Sequence, residues 1–172
     1  MRPFKSRTGN ATLEFTLVGL PLICVLFSIA SMCFGMFTLH TMQEAVEQAA
    51  RLVITHGSTC SSGTNTCTIT VGTIADAVAS AAPGIINSAL NLTLIPNSGT
   101  ANETTCNPVT SCHGNATVWP PSSNGDNTPG NNITLSADFS YTSPIAMFWP
   151  GSQSIHFGAV TFHSTSQQRL MF

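Results

Sequence analysis

From Ala11 to Leu39 the chain is almost wholly apolar, with Glu14 as the one charged residue in the stretch. A helix needs about 20 such residues to cross the hydrocarbon of a bilayer. The run is long enough to span, and it divides the molecule into a part made for lipid and a part made for water. Three of the five basic residues, Arg2, Lys5 and Arg7, stand just ahead of it. Short basic segments are held on the cytoplasmic side, so the N-terminus is expected inside and everything after roughly Leu39 outside.

A chain of 172 residues accommodates one modest domain beside such an anchor. Charged residues make up 7% of it, and beyond the N-terminal cluster the fixed cations are Arg51 and Arg169. No basic surface able to neutralise several phosphates results, which argues against direct nucleic-acid binding. Cys60, Cys67, Cys106 and Cys112 all fall on the exported side, where disulfides persist. Pairing Cys60 with Cys67 and Cys106 with Cys112 is the local solution, but four cysteines allow three connectivities and the sequence does not choose among them. Cys24 and Cys33 lie in the apolar run and read as small packing residues.

After the apolar run the pattern turns amphipathic with no Pro or Gly between. Met42, Ala45, Val46, Ala49, Ala50 and Val53 recur at helical spacing, and Gln43, Glu44, Glu47 and Arg51 occupy the other face. One helix is expected to continue to about Thr55, with Gly57 as its stop. Cys67–Val71 alternates as a short strand would, and Gly72–Ala82 reads as a small helix ended by Pro83 and Gly84. Asn91–Ile95 reads as a second strand. Pro96–Asn132 is rich in Asn, Thr, Ser, Gly and Pro and reads as a long, conformationally variable loop that a disulfide ties down. Ile133–Tyr141 and Ile155–Ser164 read as an antiparallel hairpin with the Phe148-Trp149-Pro150-Gly151 corner between them. A sheet of this kind would bury one face against the helix.

The segment Arg7-Thr8-Gly9-Asn10-Ala11-Thr12-Leu13-Glu14-Phe15 joins a basic leader to a glycine and then to Glu-Phe at the opening of the apolar helix. It resembles the processing site of prepilins. A peptidase reading such a site would cut between Gly9 and Asn10, where the lack of a side chain lets the backbone enter a narrow active site. Cutting removes the three basic residues that hold the helix end at the membrane surface. Glu14, a carboxylate just inside the hydrocarbon, costs a few kcal/mol unless it snorkels or finds a partner. The new α-amino group of Asn10, about one helical turn away, is such a partner in the same or a neighbouring subunit. The resemblance implies that role for Glu14, with Phe15 beside it, in assembly.

The wider pattern, Ala11-Thr12-Leu13-Glu14-Phe15 followed by Leu-Val-Gly-Leu-Pro, then Gln43-Glu44-Ala45 and Ala49-Ala50-Arg51, resembles the TadE-like pseudopilins of tight-adherence systems. The likeness extends in outline to the Ala-Ala-Pro-Gly turn at Ala81–Gly84 and to closing strands with a late Arg169. The chain departs from the family in its Asn/Thr-rich insertion with Cys106 and Cys112, and no acidic residue follows Arg169. The resemblance implies an α+β fold, a long transmembrane helix extended into the periplasm and packed on a small antiparallel sheet. Residues 1–9 would be leader, 10–56 the helix and 57–172 an exported head with its long loop at 96–132. It also implies a bacterial inner-membrane location and, as partners, other pilin-like subunits, the inner-membrane pilus assembly platform, a prepilin peptidase and the lipid bilayer.

No chemistry competes with a structural role. His40, His56, His113, His156 and His163 share no metal-ligand spacing, and Cys112-His113 is adjacent rather than spaced for chelation. Asp76, Glu103, Asp126 and Asp138 are scattered, and no nucleophile elbow, phosphate loop or dinucleotide fingerprint occurs. No cofactor and no enzymatic activity are expected. Trp119-Pro120-Pro121 and Phe148-Trp149-Pro150 read either as a docking surface or as caps on a small core. The sequons at Asn91, Asn115 and Asn132 are of the kind that arise by chance in so Asn/Thr-rich a chain.

The expected function is that of a minor pilin or pseudopilin in assembly of a tight-adherence pilus, supporting adhesion and biofilm formation. The alternatives are a permanently membrane-anchored surface-binding module and a type II secretion pseudopilin. An ordinary signal peptide cut near Ser28-Ile29-Ala30 fits less well, because the apolar run outlasts the usual signal core.

Overall fold

A computed structural model of the chain describes residues 8–59, 67–142 and 160–171. The helix α1, Thr8–Ile54, contains 47 residues, which at 1.5 Å per residue is about 70 Å of rod. The apolar run and the amphipathic run are one helix, since nothing between Leu39 and Met42 breaks the pattern. Met42, Ala45, Val46, Ala49, Ala50 and Val53 are all buried, while Gln43, Glu44, Glu47 and Arg51 face solvent. Glu47 and Arg51 form the i,i+4 ion pair their spacing predicts. At the end of α1 the Nδ1 of His56 lies 2.7 Å from the Leu52 carbonyl oxygen, satisfying one of the carbonyls that a helix terminus leaves unpaired.

The second helix, α2, spans Val71–Ala81. Thr70 caps it by accepting the Thr73 backbone N–H on its hydroxyl at 3.2 Å. Val71, Ile74, Ala75 and Val78 make its buried face. Pro83 and Gly84 end it, Gly84 taking the positive φ of 84° that glycine adopts most readily.

Among the described residues four strands follow: β1, Leu90–Ile95; β2, Thr104–Cys106; β3, Asn132–Tyr141; and β4, Val160–Arg169. They form an antiparallel sheet in the order β2-β1-β3-β4. Alternation places Leu90, Leu92 and Leu94 of β1 and Ile133, Leu135, Ala137 and Phe139 of β3 on one face, all buried against the helices. The opposite face carries Thr93, Ser136, Asp138, His163, Thr165 and Gln167. The architecture is the α+β arrangement that the pattern of elements predicts.

Three expectations need correction. Cys67–Val71 is not a strand: Thr70 makes a single bridge to Val118, and Val71 already belongs to α2. A threonine hydroxyl poised to cap a helix overrides an alternation only a few residues long. Pro96–Asn132 is not an open loop. It supplies β2, 3-10 turns at Thr100–Asn102 and Val109–Cys112, and the buried residues Val109, Trp119 and Asp126. Strand β4 continues to Arg169 rather than stopping at Ser164, because β3 offers pairing as far as Asn132, opposite Arg169. The first residues proposed for that strand, 155–159, with His156 and the Phe148–Gly151 corner, lie outside the described residues.

Candidate functional site: the apolar stem and its junction with the head

The lower part of α1 carries the chemistry that matters most. An 18-residue window in this helix has a mean hydropathy of 2.4 and no buried share, and Leu13, Phe15, Leu17, Leu20, Leu22, Ile23, Leu26 and Phe27 are all exposed. The helix is long and apolar enough to cross a membrane. Two of its hydroxyls are satisfied within the helix. Thr16 donates to the carbonyls of Thr12 and Leu13 at 3.1 and 3.0 Å, and Ser28 donates to Cys24 at 2.8 Å. Such back-bonding suits a segment with no water to turn to. Pro21 lies inside the helix and has no N–H to give to the Leu17 carbonyl. Cys24 and Cys33 are free, exposed thiols on this stem.

The residues singled out for processing and assembly sit at its foot. Gly9 and Asn10 lie in the first turns of α1, and the basic leader up to Arg7 is outside the described residues. Glu14 is exposed, and Phe15 is 76% exposed with its ring beside Gly19. Ion pairs among the described residues join Glu47 to Arg51, Asp76 to His113 and Asp138 to His163, so Glu14 has no partner of that kind within the chain's described part.

The head meets the stem well above this foot. Tyr141 at the end of β3 stacks on Phe162 of β4, with ring centroids 5.3 Å apart, and both rings close on Gly35. A Cβ at that position would lie 3.6 Å from Phe162 and 3.7 Å from Tyr141. The Tyr141 hydroxyl also donates to the Ser31 carbonyl oxygen at 3.4 Å. On the α2 side, Gly84 stands beside the Phe37 ring. Below Ser31 the described part of the head makes no such contact with the helix.

Within the head, Cys106 and Cys112 form a disulfide that ties β2 to the 3-10 turn after it. Cys67 is disulfide-bonded, and Cys60 lies outside the described residues. Asp126, 1% exposed, accepts the Ser98 backbone N–H and hydroxyl, each at 2.7 Å. Its burial in the Asn/Thr-rich segment was not readable from sequence, where it is one scattered carboxylate among others. His113 Nδ1 lies 2.8 Å from Asp76; this hydrogen bond and the carboxylate's charge raise the His113 pKa above 6.5.

Asp138, His163 and Ser136 form a row that has the atoms of a catalytic triad without its setting. His163 Nδ1 bonds Asp138, but its Nε2 lies 3.0 Å from Thr165 and 3.5 Å from the largely buried Ser136 hydroxyl. The row lies on the sheet face turned away from the helices, whereas a nucleophile works within a cleft with oxyanion donors around it. Trp119 is 2% exposed and belongs to the core, which settles that aromatic as a core cap.

Residues 9–51 match the family described as TadE-like protein. No curated protein and no solved structure matches the chain. The matched segment begins at Gly9, takes in the bare apolar part of α1 and ends at Arg51 on its head-bearing part. The stem of this chain, residues 9–51, is thus TadE-like.

Proposed function

We propose that the chain is a minor pilin-like subunit acting in assembly of a tight-adherence pilus. The observation that carries the reading is the bare apolar stem: one helix, matched over residues 9–51 to the TadE-like family, has an exposed carboxylate at its foot and a folded head on its upper half. The subunit inserts with its N-terminus in the cytoplasm and its head in the periplasm, held there by Arg2, Lys5 and Arg7. Cleavage between Gly9 and Asn10 removes those charges and creates an α-amino group that pairs with Glu14 of the same or a neighbouring subunit. Stems then pack on one another as the subunit leaves the bilayer, while the head, with Cys106–Cys112 and a second bridge between Cys60 and Cys67, specifies position and contacts. Through the pilus the subunit supports adhesion and biofilm formation. Its partners are other pilin-like subunits, the assembly platform and the prepilin peptidase.

Mass spectrometry of the N-terminus of protein purified from its native membrane tests the reading. A mature chain beginning at Asn10 is expected. An intact leader on every copy would instead make the protein a permanently anchored surface module.

A further inference from the structure

Contacts between the head and α1 fix which described parts of the head lie lowest along the helix. Leu90 pairs with Phe139, Tyr141 pairs with Val160, the Tyr141 and Phe162 rings close on Gly35, and Gly84 touches Phe37. At the other end, the Met171 backbone N–H donates to the Ile54 carbonyl oxygen, and Val118 lines a shallow cleft with His56 and Gly57. Among the described residues, the large apolar side chains that the head leaves exposed divide between these two ends. Ile86 and Val160 belong to the lower end, Val118 and Met171 to the upper.

At the height of Gly35 the helix adds Phe34 and Phe37, both exposed. From Thr12 to Ser31 the stem is 20 residues, or about 30 Å of helix, the thickness of bilayer hydrocarbon. A span beginning at Thr12 therefore brings the helix out of the hydrocarbon just where the head first touches it. We propose that Phe34, Phe37, Ile86, Tyr141, Val160 and Phe162 form a collar that rests in the headgroup and glycerol layer of the outer leaflet, seating the underside of the head on the lipid surface. This rests on the reading of α1 as a membrane span. The collar is continuous with that span, and its composition suits the layer, where aromatic rings concentrate; the Tyr141 hydroxyl is satisfied by the Ser31 carbonyl oxygen. The seat sets the depth of the stem. Drawing the subunit out of the bilayer breaks the collar's contact with lipid before the hydrocarbon-buried part of the helix moves far.

The full-length protein in phosphatidylethanolamine–phosphatidylglycerol vesicles tests this with two photoactivatable phospholipids, one reactive at the glycerol level and one deep in the acyl chain. Mass spectrometry then locates the adducts. The glycerol-level probe is expected to label the Ile86 and Val160 segments about fivefold more than the equally apolar Val118 and Met171. Equal labelling at both ends, with the acyl-chain probe still marking Leu17–Phe27, would overturn the collar and leave the span standing. Loss of the Leu17–Phe27 adducts would overturn the span and the collar together.

Discussion

The backbone N–H of Gly72 donates to the Asn115 carbonyl oxygen at 2.9 Å, and the approach is so close that a Cβ on residue 72 would stand 2.8 Å from the Asn115 nitrogen. Residue 72 lies in the first turn of α2 and residue 115 just beyond the disulfide-closed turn, so this contact joins two separate stretches of the head. Gly72→Ala should gain some helix propensity and lose more to overpacking against backbone that cannot rotate away. A net destabilisation of about 1–3 kcal/mol is expected, read as a lower unfolding midpoint by near-ultraviolet circular dichroism in detergent.

Leu92 and Leu20 are the same residue type in opposite settings, one fully buried in the sheet and the other on the bare stem. Leu92→Ala should destabilise the head by about 2–5 kcal/mol, the cost of lost burial and a residual cavity. Leu20→Ala should leave the head's unfolding midpoint unchanged, and the same thermal measurement on both variants makes the comparison.

His113 and Asp76 form an ion pair, tying the disulfide-closed turn to α2, only when the imidazole is doubly protonated. Because the folded pKa is raised above 6.5 by Asp76, the tie is fully present below that ordinary value and is lost as pH rises through the raised one. Both side chains are well exposed, so solvent screens most of its effect on stability. Asp76→Asn should move the His113 midpoint back down, as followed by the imidazole proton shifts in an NMR titration.

The Cys106–Cys112 bridge closes a loop with a sequence separation of 6. Cys112→Ser should cost about 2 kcal/mol on the chain-entropy account of so short a loop. Oxidised wild type and variant, compared in denaturant unfolding, should differ by that amount. A reductant should lower the wild type by at least as much, since it also opens the bridge at Cys67.

Glu14→Ala should leave membrane insertion intact, because it removes a charge from an already apolar segment. Pilus assembly should fall sharply. Electron microscopy of pili on cells carrying the variant, with membrane fractionation as the control, reads both effects, and normal piliation would count against the proposed role of Glu14.

The helical half of the molecule was legible from sequence because its signals are long. An apolar run many residues long and six apolar residues at a 3.6-residue period leave little choice of structure, and those six, from Met42 to Val53, are buried as that period requires. The strands β1 and β3 were legible for the same reason. The Asn/Thr-rich segment was not, because its order comes from partners distant in sequence: Asp126 is held by Ser98, and Cys106 pairs across to Leu92. Composition reports local flexibility and says little of such ties. The meeting of Tyr141, Phe162 and Gly35 was hidden likewise, since it depends on how far up α1 the sheet is mounted.

Above Pro21 the helix α1 runs without a further proline to Ile54, and the head packs on it from Ser31 upward. Force applied along the axis therefore meets no joint before it reaches the sheet. Traction on the stem above Pro21 is carried by helix without a further proline to the sheet, and so to the core that holds Trp119.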